Sequence, residues 1–538
     1  MNDRSKFYLK LRADLNKLPT LEGKKVQFDS MAEMILTRAQ EIPDRVHVLF
    51  YDEVITYAQT NERSNKVANY LKAKGVKKGD ICSVMILNSP EIYYTMFGIQ
   101  KLGAIAGAIN FMLKGPEIAY VLDDSKPKAV FVSTGFMEEF ARGYAMAQHK
   151  PIVIEVKQDG IHNADIAEGF LTDILDTYPA DEAFVPQKLE DPFLLLYSSG
   201  TTGLPKGILL PNRAQHSINK DMARSQRGWP GDVVMIVTPM FHTNPLCVWT
   251  YPYIYQGLTF CIRKRFSPDD WWPAIARYGV KVCWAVPAMY NYVLYKIDPA
   301  TIEHDKIVLR DAFSGGAPVP TELIRDFKDK FRVQIFNGYG LTEACGVSSS
   351  SFGAPYKPGA IGQALYEQEI QIRDVVDGSE APFGAIGEIC IKGPAIMLGY
   401  LNKPEATAAT IKDGWLHTGD LGRMDEEGYV FYDGRLKEMI NRGGENIYPR
   451  EIEIPLEAHP RIRDVAVVGQ PDPALGERVK ACIVLVEPGS MTADEVKEYL
   501  SDKIAKYKIP EIVEFLDDFP RNPTGKVLKN KLKGAKSS

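Results

Sequence analysis

One stretch constrains this chain more than any other: Tyr197-Ser198-Ser199-Gly200-Thr201-Thr202-Gly203-Leu204-Pro205-Lys206-Gly207-Ile208. Apolar runs flank it, residues 193–196 before and 208–210 after. Runs of that kind read as buried strands, so the polar stretch has to be a loop held between two of them. Gly200, Gly203 and Gly207 let the backbone approach a ligand closely and turn its N–H groups toward an anion. Ser198, Ser199, Thr201 and Thr202 add hydroxyl donors, and Lys206 adds a mobile positive charge. Together they form a cradle for a polyphosphate. It is not the common nucleotide loop, in which Gly-Lys is followed by Ser or Thr and opens a helix. Here Pro205 precedes the lysine, Gly207 follows it, and a strand comes next.

The rest of the chain bounds what such a loop can serve. With 538 residues, 45% of them hydrophobic, the chain is too long for one compact domain and has ample material for a large core. A net charge of −5 offers no electrostatic reason to bind nucleic acid. The seven cysteines (82, 247, 261, 283, 345, 390 and 482) are widely spaced and odd in number, without paired metal-ligand spacing. They read as reduced thiols of a cytoplasmic protein. The N-terminus carries mixed charge with no apolar core of a signal peptide. No run approaches the ~20 apolar residues of a membrane span.

Along the chain, short apolar runs alternate with helical patterns. Residues 81–87, 129–133 and 152–156 read as strands, and 91–102 as an amphipathic helix. A second unit follows Asp191, with strands expected at 233–238, 259–262, 280–286, 311–314 and 334–336 and helices beginning near Pro268, Ala288 and Pro320. Such alternation predicts helices packed on largely parallel sheets. From about Gly359 short strands (369–373, 387–392, 429–433) alternate with Gly and Pro turns, as in a small β-rich subdomain. After Arg435 the pattern is a helix at 451–459, which Pro455 should bend or shorten, strands at 464–469 and 479–486, a helix at 493–505 and a strand at 512–515. The expected fold class is therefore α/β. A large N-terminal domain, residues 1–436, comprises two α/β subdomains plus the β-rich one; a small mobile α+β domain, residues 437–538, follows it.

Four further motifs carry chemistry. Asn337-Gly338-Tyr339-Gly340-Leu341-Thr342-Glu343 follows an apolar strand, where ligands of open α/β sheets sit. A tyrosine between two glycines can lie flat on a base, and Glu343 is a hard oxygen ligand suited to the magnesium that accompanies ATP. Ser314-Gly315-Gly316-Ala317-Pro318 ends another strand; it suits a wall against a planar ligand or, equally simply, a plain turn. Asp420, in His417-Thr418-Gly419-Asp420, can accept from two ribose hydroxyls, and Arg435 can offer a forked donor. Pro520-Arg521-Asn522-Pro523-Thr524-Gly525-Lys526 is a rigid turn presenting one lysine near the C-terminus.

These motifs, in this order and over residues 28 to 530, resemble the adenylate-forming enzymes: acyl-CoA synthetases, luciferase-like enzymes and adenylation domains of peptide synthetases. The resemblance implies adenine stacking by Tyr339, an adenine wall at Gly315, Gly316, Ala317 and Pro318, and phosphate contact by Thr342. It implies ribose binding by Asp420 and Arg435, with Asn337 and Tyr432 completing the ATP site. Catalysis would fall to Lys526, Thr201, Glu343 and His242, with magnesium at Glu343 and Thr201. Lys437 matches the position of a domain hinge, though a charged linker fits locally. Gly443, Gly444 and Glu445 match the passage for the pantetheine arm of coenzyme A, where a hairpin turn explains the glycines equally well. Peptide-synthetase domains carry an aspartate near His242 to pair with the substrate ammonium; its absence here points to a plain carboxylic acid. Acetyl-specific relatives carry tryptophan at the position of Gly340, so the expected acid is larger than propionate: medium-chain, cyclic or aromatic. Candidate acyl-pocket residues are His242, Thr243, Trp249, Trp284, Ala285, Gly338, Gly340 and Ala344, although each aromatic taken singly is as simply a core residue. The expected co-substrates are ATP and coenzyme A, and the expected partner is a small carboxylic acid. A carnitine-type acid, loading of a carrier protein, and a non-catalytic binding protein are the alternatives, the last opposed by the presence of Lys526, Glu343 and Asp420.

Overall fold

The computed structural model describes residues 21, 23–158, 166–198, 205–225, 228–229, 231–352, 355–443, 445–473, 475–521 and 527–533. Among them run three sheets. The first has eight strands in the order Gly399–Tyr400, Lys206–Pro211, Pro192–Ser198, Ile105–Ala108, Ile81–Met85, Ala129–Ser133, Ile152–Val156, Gly169–Phe170. Its strands from Pro192–Ser198 to Gly169–Phe170 are mutually parallel. Ala129–Ser133 is buried at every position, as a parallel strand covered on both faces must be. The two strands flanking the glycine-rich loop pair antiparallel, Ser198 opposite Lys206 and Tyr197 opposite Gly207, so the loop closes a hairpin.

The second sheet continues where sequence patterning suggested a break. Val46–Phe50, Thr259–Ile262, Val233–Ile236, Val280–Trp284, Asp311–Ser314 and Ile335–Tyr339 make its parallel half. Antiparallel strands then extend it through Ser349–Ser350, Ala360–Ala364, Val430–Arg435, Trp415–Met424, Gly387–Lys392 and Glu369–Arg373. The β-rich segment is thus hydrogen-bonded onto the second α/β unit rather than standing apart. The N-terminal strand Val46–Phe50 also joins this sheet, crossing from the first unit.

The helix Glu91–Lys101, expected to be amphipathic, is buried from Ile92 to Lys101 because it lies between layers. Gly98 lets it meet the neighbouring helix Tyr57–Ala73 closely: a Cβ there would fall 2.6 Å from Val67. Lys101, at the inner end, is neutralised by Glu182 at 2.6 Å. The third sheet, of five strands, is built entirely from residues after Met439: Ile440–Arg442, Glu445–Ile447, Ile462–Asp472, Gly476–Leu485 and Ile512–Phe515. The helix Pro449–Glu457 packs against it and runs two residues past Pro455, which cannot donate to the Glu451 carbonyl, so the proline weakens the last turn and the helix ends soon after. No helix among the described residues is long and apolar enough to cross a membrane.

Candidate active site

The carboxyl ends of Val233–Ile236, Val280–Trp284, Asp311–Ser314 and Ile335–Tyr339 converge on one cavity of about 860 Å³. His242, Thr243, Trp249, Trp284, Gly315, Gly316, Gly338, Gly340 and Thr342 all line it. Parallel-sheet geometry explains the convergence, because the loops after neighbouring strands open on the same edge. Ala285 and Ala344, also expected at the acyl pocket, are instead fully buried in the hydrophobic core.

One wall is aromatic. Residues 244–250 form a π-helical turn that carries Trp249, stacked on Tyr253 at 5.5 Å and tilted against Phe313 at 5.2 Å. Met112, Phe266, Met289, Tyr292 and Tyr295 extend the lining beyond the residues read from sequence. His242 sits at the inner edge against Phe241, and burial pushes its imidazole down to about 4, so it is neutral at physiological pH.

Beside the cavity, next to its lining residues Gly338 and Gly340, stands a polar cluster whose members do not themselves line it. The Tyr339 hydroxyl donates to Asp420 Oδ2 at 2.8 Å, and Arg435 Nε lies 3.0 Å from Asp420 Oδ1. Asp420 is only 3% exposed and holds both the phenol and the guanidinium. Burial, reinforced by Asp420, raises the Tyr339 and Tyr432 phenols well above their ordinary values. Burial alone would lower the Arg435 guanidinium, but Asp420 keeps it above its ordinary range. Thr243 and Thr342 join across the cavity floor by a 2.7 Å hydroxyl bond. Gly315 has no room for a side chain, since a Cβ would fall 2.7 Å from the Gly338 carbonyl. Asn337 is buried and holds Ser351.

Glu343 follows on the turn after Tyr339, and its Oε1 accepts from the Tyr400 hydroxyl at 2.9 Å. Lys206 Nζ lies 4.6 Å from the centre of the Tyr400 ring. Tyr400 therefore ties the lysine of the glycine-rich hairpin to Glu343. Sequence reasoning missed it, because a tyrosine in a two-residue strand has no periodic signature. Ser198 ends the strand entering the hairpin.

Arg463, Asp464, Asp518 and Arg521, from the C-terminal region, also line the cavity. Ala317, Pro318 and Tyr432 line a second, adjoining cavity with Val527 and Lys529. Arg521 bridges Val527; Arg521 lines both cavities and Val527 the second. Lys437 sits in a tight turn, Leu436–Glu438, where burial and then Arg435 lower its ammonium below the usual range. Gly443, with φ +61°, donates to the Leu475 carbonyl, and Glu445 is exposed; neither lines a cavity. Ser199, Gly200, Thr201, Thr202, Gly203, Gly444 and Lys526 lie outside the described residues.

The family models for AMP-binding enzymes and for the AMP-binding enzyme C-terminal domain match residues 35–401 and 451–526. The chain is 34% identical over 488 residues to a long-chain-fatty-acid–CoA ligase of Mycobacterium tuberculosis, covering 90% of this chain and 93% of the relative. It is 35% identical over 506 residues to an indoleacetate–CoA ligase of Aromatoleum aromaticum, covering 93% and 97%. The crystal structure of ATP-bound MatB from Rhodopseudomonas palustris superposes with a TM-score of 0.86 at 30% identity, over 94% of this chain and 98% of that one. With the strand-end cavity and the neighbouring Tyr339–Asp420–Arg435 cluster, the chain belongs to the AMP-binding enzymes and is an AMP-forming acyl-CoA synthetase.

Proposed function

We propose that this acid–CoA ligase activates a medium-chain, cyclic or aromatic carboxylic acid larger than propionate. The observation that carries the reading is the aromatic cavity of about 860 Å³ joined to the Gly338 and Gly340 backbone. Trp249, Trp284 and Phe313 offer ring faces, and neutral His242 places no charge in the acyl region.

In the first half-reaction a carboxylate oxygen bonds to the α-phosphorus of ATP and the bond to pyrophosphate breaks. The obstacle is repulsion between two anions, so catalysis rests on alignment and preorganised positive charge. Tyr339 and the Gly315–Gly338 backbone contact form the slot for adenine; Asp420 and Arg435 hold the ribose. Lys206 and Lys526 bring charge to the phosphates, together with the loop hydroxyls of Ser199, Thr201 and Thr202. The donor set at Glu343, a hard carboxylate oxygen beside a phenol, fits magnesium, with Thr201 as the second oxygen. Magnesium bound there would neutralise part of the triphosphate charge. In the second half-reaction the coenzyme A thiolate attacks the acyl carbonyl, a C–S bond forms, and AMP leaves. That step needs Lys526 withdrawn and the Gly443–Gly444 segment brought to the cavity, which rotation about Lys437 accomplishes.

The test is pyrophosphate release over a panel of acids from propionate to aryl-acetates, with and without coenzyme A. The largest acid-dependent rates are expected for six-carbon and larger or ring-bearing acids, with AMP release requiring coenzyme A. A maximum at acetate or propionate, or release of AMP only with a carrier protein, overturns the reading. Lys526→Ala should lower adenylate formation at least roughly a hundredfold while sparing thioester formation from supplied acyl-AMP; equal loss in both refutes the role given to this lysine.

A further inference from the structure

Beside the Tyr339–Asp420–Arg435 cluster, three side chains of two antiparallel strands converge. Glu388 and Cys390 lie on Gly387–Lys392, and His417 lies on Trp415–Met424. One ligand atom from each falls within 4.8 Å of the other two. His417 Nδ1 is 2.7 Å from Glu388 Oε2 and 3.5 Å from Cys390 Sγ. Cys390 is fully buried, whereas the carboxylate and imidazole retain 16% and 17% side-chain exposure, enough for an ion to enter.

One nitrogen cannot satisfy both neighbours. With its proton, Nδ1 donates to Glu388 and leaves the thiol without an acceptor there; without it, the carboxylate faces a lone pair. A cation in place of that proton meets all three donors at once. The spacing fits a tetrahedral ion: zinc–sulfur and zinc–nitrogen bonds of the usual lengths place sulfur and nitrogen about 3.5 Å apart. The 3.5 Å found here needs no adjustment. Nitrogen and oxygen ligands would lie about 3.3 Å apart, so Glu388 must withdraw by ~0.6 Å.

That withdrawal has a consequence in the next turn. Glu388 pairs with Leu421 and Cys390 with His417, so residues 418–420 bulge from the strand. Glu388 Oε1 pins the bulge by accepting the Gly419 N–H at 2.9 Å, and the Thr418 hydroxyl donates to the Ile389 carbonyl at 2.6 Å. Asp420, the ribose ligand of the reading above, is the last residue of the bulge.

We infer that Glu388, Cys390 and His417 form a binding site for a thiophilic divalent cation such as zinc, and that its occupation weakens ATP binding by displacing the bulge that carries Asp420. On binding, the Cys390 thiol proton passes to solvent, the His417 imidazole carries its one proton on Nε2 so that the Nδ1 lone pair meets the metal, and a metal–thiolate bond forms, with water as the fourth ligand. The effect on ATP rests on the ribose assignment of Asp420; the site itself does not.

The test uses the full chain stripped with chelator and titrated with cobalt(II) alone, then zinc(II) alone. One equivalent of cobalt is expected to give near-ultraviolet thiolate-to-cobalt absorption that zinc abolishes and magnesium does not. Cys390→Ala and Cys390→Ser should lose the band and bind zinc at least roughly tenfold more weakly, with unchanged KM for ATP in the absence of zinc. Absence of the band in the unsubstituted chain overturns the site, as does its persistence in both variants, which would place the metal on another thiol. For the coupling, micromolar zinc at saturating magnesium should raise the KM for ATP several-fold, reversibly with chelator, and not in Cys390→Ser. A zinc-bound protein with unchanged KM overturns the coupling and leaves the site standing.

Discussion

Two acids show how differently burial can be used. Asp221 lies wholly inside, on the helix Asn212–Ser225, where its Oδ2 accepts the Glu367 N–H at 3.2 Å and Arg224 stands 3.7 Å away. Burial, then Glu367, pushes its carboxyl up to about 8. The unfolded chain ionises this group near its ordinary 3.8, so between those values the folded protein holds the extra proton and stability falls as pH rises. Asp221→Asn should therefore stabilise the protein at pH 7, by up to ~4 kcal/mol, with the gain vanishing toward pH 4. Urea unfolding of both proteins across that range checks the sign, and a gain independent of pH would contradict it. Three histidines oppose this trend on the acid side. His47, His216 and His242 are pushed down to about 3, 4 and 4 by burial, so their contribution is present above about 6.5 and is lost as pH falls below it. Glu343 is the other kind of acid, half-open and held by Tyr400. Removing that hydroxyl in Tyr400→Phe forfeits a bond to a charged group, ~1.5–3 kcal/mol, and should slow adenylate formation by roughly ten- to a hundredfold. ATP–pyrophosphate exchange measures it; thioester formation from supplied acyl-AMP should not change. Asp420, Arg435 and Tyr339 were legible in sequence because each stands in a motif of unusual composition. Tyr400 was not, since its role comes from a strand pairing that joins distant segments.

At the scale of elements, Gly340 separates what a residue permits from why it is there. Its small size suggests a lengthened acyl pocket, and it does line the cavity. The structure adds a backbone reason: a Cβ at Gly340 would sit 2.5 Å from both the Gly346 carbonyl oxygen and Val347 Cα. Main-chain atoms cannot swing aside, so the returning segment closes against this residue and the turn carrying Thr342 and Glu343 depends on it. Gly340→Ala should cost ~1–3 kcal/mol of stability and raise the KM for ATP along with that for the acid. Unchanged stability with only a shift toward smaller acids would show that Gly340 serves the pocket alone. Most strands of the parallel halves were readable as short apolar runs, whereas the half-buried Val46–Phe50, the small-residue Ile105–Ala108 and the two-residue Gly169–Phe170 were not. Fusion of the β-rich segment to the second sheet was not readable, because alternation identifies an antiparallel strand without naming its neighbour. The helix Glu91–Lys101 misled for a related reason: Lys101 reads as a solvent-facing residue until Glu182 is found beside it.

The whole molecule has two places to present to one cavity. Arg463, Asp464, Asp518 and Arg521 line it, whereas Gly443 and Glu445 do not. On the proposed mechanism this is the arrangement that serves adenylate formation. On that mechanism thioester formation uses the other face of the C-terminal region, and the chain passes between the two proposed parts through the Leu436–Glu438 turn. Part-buried ion pairs knit the C-terminal part together: Lys529 reaches Glu453 at 2.7 Å and Glu438 at 3.4 Å, and Arg450 pairs with Glu457. The proposed rotation would then be absorbed by dihedrals at or beside Lys437. Proline there fixes φ near −65°, a value a tight helical turn already uses, so the present arrangement survives while rotation away from it is blocked. The ring also presses on Leu436, so Lys437→Pro should slow adenylate formation modestly, by no more than severalfold. Thioester formation from supplied acyl-AMP should fall at least tenfold further than that. Single-turnover measurement of the two half-reactions separates these effects, and Lys437→Ala, which leaves φ free, should behave as the unsubstituted chain in both. Equal losses in the two half-reactions of the proline variant would mean that the rotation axis lies elsewhere.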